Sequence, residues 1–191
     1  MIILLLRTDK KRVKKGEQMI RKATKKDLDS VVRIYESVLI EEEKRNEKMV
    51  GWVRGIYPTD KTALDGLEQG SLFVYQEGDR IVATAKMDNV QAPEYAECDW
   101  GYDVPYDKVM VLHTLAVDPE CSGRGYGGKF IDFYEKYASE NGCDYLRIDT
   151  NVKNTIARHI YEKHGYSRAG TVKCSFKGIN DVYLACFEKK L

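Results

Sequence analysis

Residues 108–138, KVMVLHTLAVDPECSGRGYGGKFIDFYEKYA, constrain the fold more than any other part of the chain. An apolar run comes first, then a proline turn, then four glycines within six residues, then a pattern of apolar residues at helical spacing. The run from Val109 to Val117 is apolar at both alternating positions, which predicts a central strand covered on both sides. A covered strand leading into a helix is an α/β signature. Each glycine inside a regular element costs about 0.5–1 kcal/mol relative to alanine, so four together point to a backbone that approaches something closely.

The flanking sequence repeats the same logic. Residues 19–23 read as a short strand, and Thr24 followed by Asp27 reads as a helix start with an acidic third residue. Leu28, Val31, Val32, Tyr35, Val38 and Leu39 then form one helical stripe. Residues 58–70 predict a second short helix ending at Gly70. Residues 71–89 predict a hairpin around Gly78-Asp79. Residues 91–107 are a long acidic and aromatic loop, a length that in a small domain marks either a functional or a mobile segment. A strand over DYLRIDT, a helix over NTIARHIYEKHG and two final strands flanking KGIND complete the order βααββ-β-α-β-α-ββ. This order predicts a mixed α/β sheet with helices on both sides.

At 191 residues and 43% hydrophobic, the chain suits one domain with one substantial core. Residues 1–18 read as an extension outside it, with the domain spanning 19–191. The apolar run Ile2 to Leu6 is too short for a secretion signal or a membrane span. A net charge of +1 gives no general pull toward nucleic acid or membrane. The five cysteines are widely spaced and odd in number, which argues against a disulfide framework or a zinc site and for a reducing, cytoplasmic setting. No metal is expected.

GRGYGG, Gly123 to Gly128, at a helix start offers free backbone N–H groups and the positive end of a helix dipole, a site suited to phosphate. It lacks the G-K-S/T ending of a P-loop. Gly123, Gly125 and Gly128 also satisfy G-x-G-x-x-G, with Asp149 about 20 residues further on where a ribose-binding acid belongs. Against that dinucleotide reading stand the intervening DPECS and the shortage of chain for further βα units. An oxidoreductase of this kind and a catalytically silent acyl-CoA sensor are the alternative functions.

A third reading rests on two motifs. Ser122-Gly123-Arg124-Gly125-Tyr126-Gly127 resembles the acetyl-CoA-binding motif Q/R-x-x-G-x-G/A of the GNAT superfamily of N-acetyltransferases, with Ser122 in place of Gln or Arg. Asn154, Ala157, Tyr161, Gly165 and Tyr166 match the second motif, N-x-x-A-x-x-x-Y-x-x-x-G-F/Y. The resemblance implies a GNAT-type mixed, mostly antiparallel sheet with a central splayed parallel strand pair. It implies acetyl-CoA as co-substrate, pantetheine against the backbone of Leu115, Ala116 and Val117, and pyrophosphate on Ser122 and Gly123 to Gly128. Asn154 is expected to cap its helix, and the resemblance implies that it also contacts the cofactor.

The implied reaction moves acetyl directly to an amine through a tetrahedral intermediate. Tyr161 occupies the position of the general acid for the leaving thiolate; spacing alone also fits an ordinary core tyrosine. His113 resembles a histidine of family base relays, and Glu97 and Asp99 are rivals acting through water. The acceptor pocket is expected from Glu41 to Glu43, Trp52, Tyr57 and the KGIND turn, with Trp100 and Tyr102 nearby. Acidic and aromatic groups suit a cationic amine: a small molecule, an amino acid or a protein N-terminus. A homodimer remains an open option.

Overall fold

The computed structural model describes residues 18–176 and 179–191. Seven strands, β1 (Gln18–Lys22), β2 (Leu72–Glu77), β3 (Arg80–Asp88), β4 (Val109–Val117), β5 (Tyr145–Asn151), β6 (Ser167–Phe176) and β7 (Ile179–Lys190), form one sheet in the order β1-β2-β3-β4-β5-β7-β6. Only β4 and β5 run parallel; every other pairing is antiparallel. That excludes the doubly wound parallel sheet of a dinucleotide fold. The helices are α1 (Leu28–Lys44), α2 (Asp60–Glu68), α3 (Tyr126–Glu140) and α4 (Thr155–Lys163).

Alternation along the strands separates the two faces. Phe73 and Tyr75 of β2 pack with Phe130, Ile131 and Tyr134 of α3 and Tyr161 of α4. Leu72 and Val74, on the opposite face, pack with Val31, Ile34 and Tyr35 of α1 and Ala63 of α2. The expected mixed sheet with helices on both faces is therefore the observed one. Among the described residues no helix is long and apolar enough to cross a membrane.

The extension assigned to residues 1–18 lies outside the described residues except at its last position. That position, Gln18, is the first residue of β1, paired with Glu77 and accepting a hydrogen bond from Tyr75 Oη at 2.9 Å. The long loop is more ordered than its composition suggests. It holds two short 3-10 turns and a satellite core of Tyr95 with Val109, Val111, Val172 and Cys186. Arg147 pins it from β5, with its guanidinium 4.1 Å from the Trp100 ring centre and donating to Gln91 Oε1 and to the Tyr102 carbonyl.

The start of α1 carries a pH-sensitive element. Asp27 accepts two hydrogen bonds from Arg21 (2.7 and 2.9 Å) and two from Thr24. Burial pushes the Asp27 carboxyl up, but these bonds outweigh it and hold the group below its usual value. Its stabilisation is complete above the ordinary aspartate pKa of about 3.9 and is lost as pH falls through the lower folded value. Asp27→Asn is thus expected to lower Tm at pH 7, with the gap to wild type closing below about pH 4. A gap unchanged from pH 7 to pH 3, followed by calorimetry, would contradict the assignment.

Candidate active site

The site begins with a defect in β4. Residues 116 and 117 pair with Thr84 and Ala83, while His113 pairs with Lys86, so Thr114 and Leu115 together face Ala85. This is a β-bulge, and Thr114 within it has a φ of 54°. The bulge inverts the side-chain alternation: Met110 and Leu112 face the α3 core, and so do Leu115 and Val117. Ala116 faces α1 instead. Of the three residues expected against pantetheine, Leu115 and Val117 line the cleft, whereas Ala116 offers only its backbone.

The bulge sits where the parallel pair separates. β4 and β5 are in register from Val109↔Tyr145 to Leu112↔Ile148 and no further, though both strands continue. Residues 113–117 therefore turn strand edge toward a gap, a geometry that an extended amide-bearing chain can fill by backbone pairing. At the apex, Tyr134 Oη from α3 donates to the Met110 carbonyl of β4 at 2.6 Å and lies 3.1 Å from the Arg147 carbonyl of β5.

The glycine loop closes one end of the gap. Gly123 and Gly125 have φ values of 75° and 78°, and a Cβ on either would meet nothing within 4 Å. Backbone conformation, not crowding, requires glycine there. Gly125 is the N-cap of α3, so the helix start points its free N–H groups outward. Ser122 and Gly127 line the cleft, and Arg124 is exposed. A Cβ on Gly127 would lie 3.6 Å from Ile160, and one on Gly128 3.4 Å from His164, so both allow α4 to approach α3. The Tyr126 side chain turns into the core and donates to Glu77 at 2.5 Å, so the role expected of this residue rests on its backbone.

From α4, Asn154 caps the helix by accepting from the Ala157 N–H at 3.1 Å, and it lines the cleft. Tyr161 also lines the cleft, with its ring packed on Phe187 and Tyr166. Burial pushes its phenol well above the ordinary value, which keeps it protonated at neutral pH.

The cleft, about 1010 Å³, runs on from the glycine loop to a polar end beside the 91–107 loop. His113 lies there, its Nε2 3.1 Å from the Val90 carbonyl and 3.3 Å from Asp88 Oδ1. Burial pushes the Asp88 carboxyl up, but the His113 hydrogen bond and charge hold it below its usual range. Glu97 and Asp99 are exposed and away from the cleft lining, since the 3-10 turn over Pro93–Glu97 presents Glu94 to it instead. Asp149, raised above its ordinary value by burial, lines this end and accepts from Tyr95 Oη at 2.6 Å.

Of the acidic wall expected from Glu41 to Glu43, Glu41 and Glu42 line the cleft and Glu43 does not. Glu41 pairs with Lys44, Glu43 with Arg54, and the buried Glu42 accepts from the backbone N–H of Val50 and Gly51. These contacts shape the α1–α2 loop, and Glu94 and Asp149 also line the cleft with acidic side chains. Trp52 and Tyr57 do line the cleft, with Tyr57 Oη hydrogen-bonded to Thr114 Oγ1. Trp100 and Tyr102 lie behind the loop against Arg147 and Tyr145. Of the KGIND turn, Lys177 and Gly178 lie outside the described residues.

A splayed parallel pair beside a left-handed glycine loop at a helix start is an arrangement suited to an acyltransferase that uses an acyl-CoA. The profile of the Acetyltransferase (GNAT) family matches residues 34–166, and the chain belongs to that family. It is 27% identical over 154 residues to an uncharacterized N-acetyltransferase of Methanocaldococcus jannaschii, which covers 81% of this chain and 62% of that relative's length. In structure it is similar to a GNAT-family acetyltransferase from Streptococcus agalactiae, with a TM-score of 0.76, 22% identity, and 91% and 95% of the two chains covered. It is also similar to yncA of Salmonella typhimurium, solved with its cofactor acetyl-CoA, with a TM-score of 0.63, 14% identity, and 91% and 94% covered.

Proposed function

We propose that this protein is an acetyl-CoA-dependent N-acetyltransferase that passes the acetyl group directly to a cationic amine. The observation that carries the reading is the continuity of one cleft. It joins the strand edge of residues 113–117, the glycine loop before α3 and a polar end with Asp149, Glu94 and His113. Acetyl-CoA would supply the activated acyl group, and the chain supplies orientation and dipoles. The backbone N–H groups of Gly123 to Gly128 and the Arg124 side chain hold the phosphates, while Leu115 and Val117 flank the pantetheine arm. Tyr161 gives a proton to the departing thiolate. A backbone N–H near Leu115, freed by the bulge, faces the developing oxyanion.

The polar end suits an amine that arrives as an ammonium. Asp149 and Glu94 provide negative charge, and Trp52 and Tyr57 provide aromatic faces. Such an acceptor can be a small molecule or a peptide terminus.

Thermal unfolding with acetyl-CoA, CoA and NAD in separate samples tests the reading. A ligand bound only by the native state stabilises it by about 2.7 kcal/mol at a hundredfold excess over Kd. Tm is expected to rise with either CoA species and to stay put with NAD. No shift with acetyl-CoA at millimolar concentration would sink the proposal.

A further inference from the structure

We propose that Asp149 is the catalytic residue that takes a proton from the acceptor amine, and that Tyr95 is its positioning residue. The assignment rests on the acetyl-transfer reading above and names a group at the same site.

The last β4–β5 pair is Leu112↔Ile148, so Asp149 is the first residue of β5 inside the gap. It is still held on its other edge by pairing with Cys186 of β7, which fixes its backbone on a strand rather than on a loop. Leu146 and Ile148 face the α3 core, and alternation therefore turns Asp149 to the opposite face, toward the 91–107 loop. Tyr95 is 2% exposed and donates to Oδ2 at 2.6 Å; among the described residues no donor reaches Oδ1. One oxygen is anchored, and the other is available in a cleft that Tyr161 also lines.

The surroundings favour this role over a structural ion pair. His113 from β4 and Glu94 from the loop act on Asp149 with opposite sign. The other titratable neighbours are Tyr57, Tyr161, Cys98, Cys174 and Cys186, all raised above their ordinary values by burial and so neutral at pH 7. Among the described residues no lysine or arginine contributes to the Asp149 environment, and the cation that does is His113 when protonated. An ammonium entering this end meets a carboxylate able to bind it and then take its proton.

The step balances as follows. Two protons leave the amine nitrogen in all, the first before its lone pair can bond to the acetyl carbon and the second by the time the carbon–sulfur bond breaks. Asp149 Oδ1 takes one and releases it to solvent; the second makes good the proton that Tyr161 gives to the thiolate.

The test uses the full chain with Asp149→Asn and Tyr95→Phe. Acetyl-CoA affinity is measured by calorimetry, and methylamine, tyramine and spermidine serve as probe acceptors across a pH series. The Asp149 carboxyl is followed by carbon NMR with labelled aspartate, assigned by its loss in the Asn variant. We expect Asp149 to titrate above the ordinary value of about 3.9. Asp149→Asn should keep acetyl-CoA affinity within twofold, lower kcat at least 100-fold and abolish the acidic limb. The Tyr95 hydrogen bond lowers the Asp149 pKa, so Tyr95→Phe should move both the NMR titration and that limb to higher pH. A packing role for Tyr95 would change rate without moving either. Acetyl-CoA failing to bind the wild type overturns the acetyl-transfer reading. Binding with undiminished turnover in Asp149→Asn overturns the role of Asp149. If none of the probes turns over, an Asp149 signal at the ordinary value overturns it equally.

Discussion

Tyr161→Phe is expected to leave acetyl-CoA affinity within twofold while lowering kcat by about 10²- to 10⁴-fold, the range for losing a positioned general acid. The substitution is clean because the Tyr161 ring is 4% exposed and packs edge-on against Phe187 at 5.7 Å between ring centres. Phenylalanine keeps that packing and removes only the hydroxyl. Burial raises the phenol's pKa, so the acid form persists through the neutral range. The wild-type rate should therefore show no basic limb from Tyr161 near neutrality. Calorimetry together with steady-state release of CoA checks both halves of the expectation. Unchanged turnover would reduce Tyr161 to a core ring and remove its general-acid role, whereas acetyl-CoA binding with no turnover by the wild type would favour a silent acyl-CoA sensor.

Gly125→Asp is expected to weaken acetyl-CoA binding at least 100-fold and to cost the fold little. With φ at 78°, any side chain here enters the left-handed region, at roughly 1–2 kcal/mol. Aspartate tolerates that region better than most residues, and its Cβ would meet nothing within 4 Å. A carboxylate at the N-cap of α3 is even favourable for the free helix. The same charge opposes a pyrophosphate seated on those N–H groups. S-acetylpantetheine, which lacks the pyrophosphate, separates the effects: its weaker affinity should be the same for both proteins. Equal losses for the two ligands would mean that the substitution had damaged the cleft rather than the phosphate seat.

Much of this architecture was legible in the sequence, for identifiable reasons. The α1 stripe, the Gly78-Asp79 hairpin and the strand–glycine–helix unit each carry a local periodicity that tertiary packing reinforces. The bulge at Thr114 has no such signal, since a threonine with positive φ is set by the strands around it rather than by its own preference. Glu97 attracted attention because carboxylates in an aperiodic loop cannot be assigned a direction; a single 3-10 turn sends Glu94 inward and Glu97 out. Glu41 and Glu42 do line the cleft, but the partners that hold Glu43 and Glu42, Arg54 and the Val50 and Gly51 amides, become neighbours only when the α1–α2 loop folds back, which no local pattern announces. Asp149 did offer a clue. It lies within the strand DYLRIDT about 20 residues past the glycines, a spacing that equally fits a ribose-binding acid.

The Tyr134 hydroxyl bridging β4 and β5 just below their point of separation acts as a stop on a zipper. Beyond it the two strands are kept from closing by the bulge on one side and by β7 on the other. The gap is thus set when the chain folds, and a long flexible ligand finds its track already laid, with no sheet to pry open at each turnover.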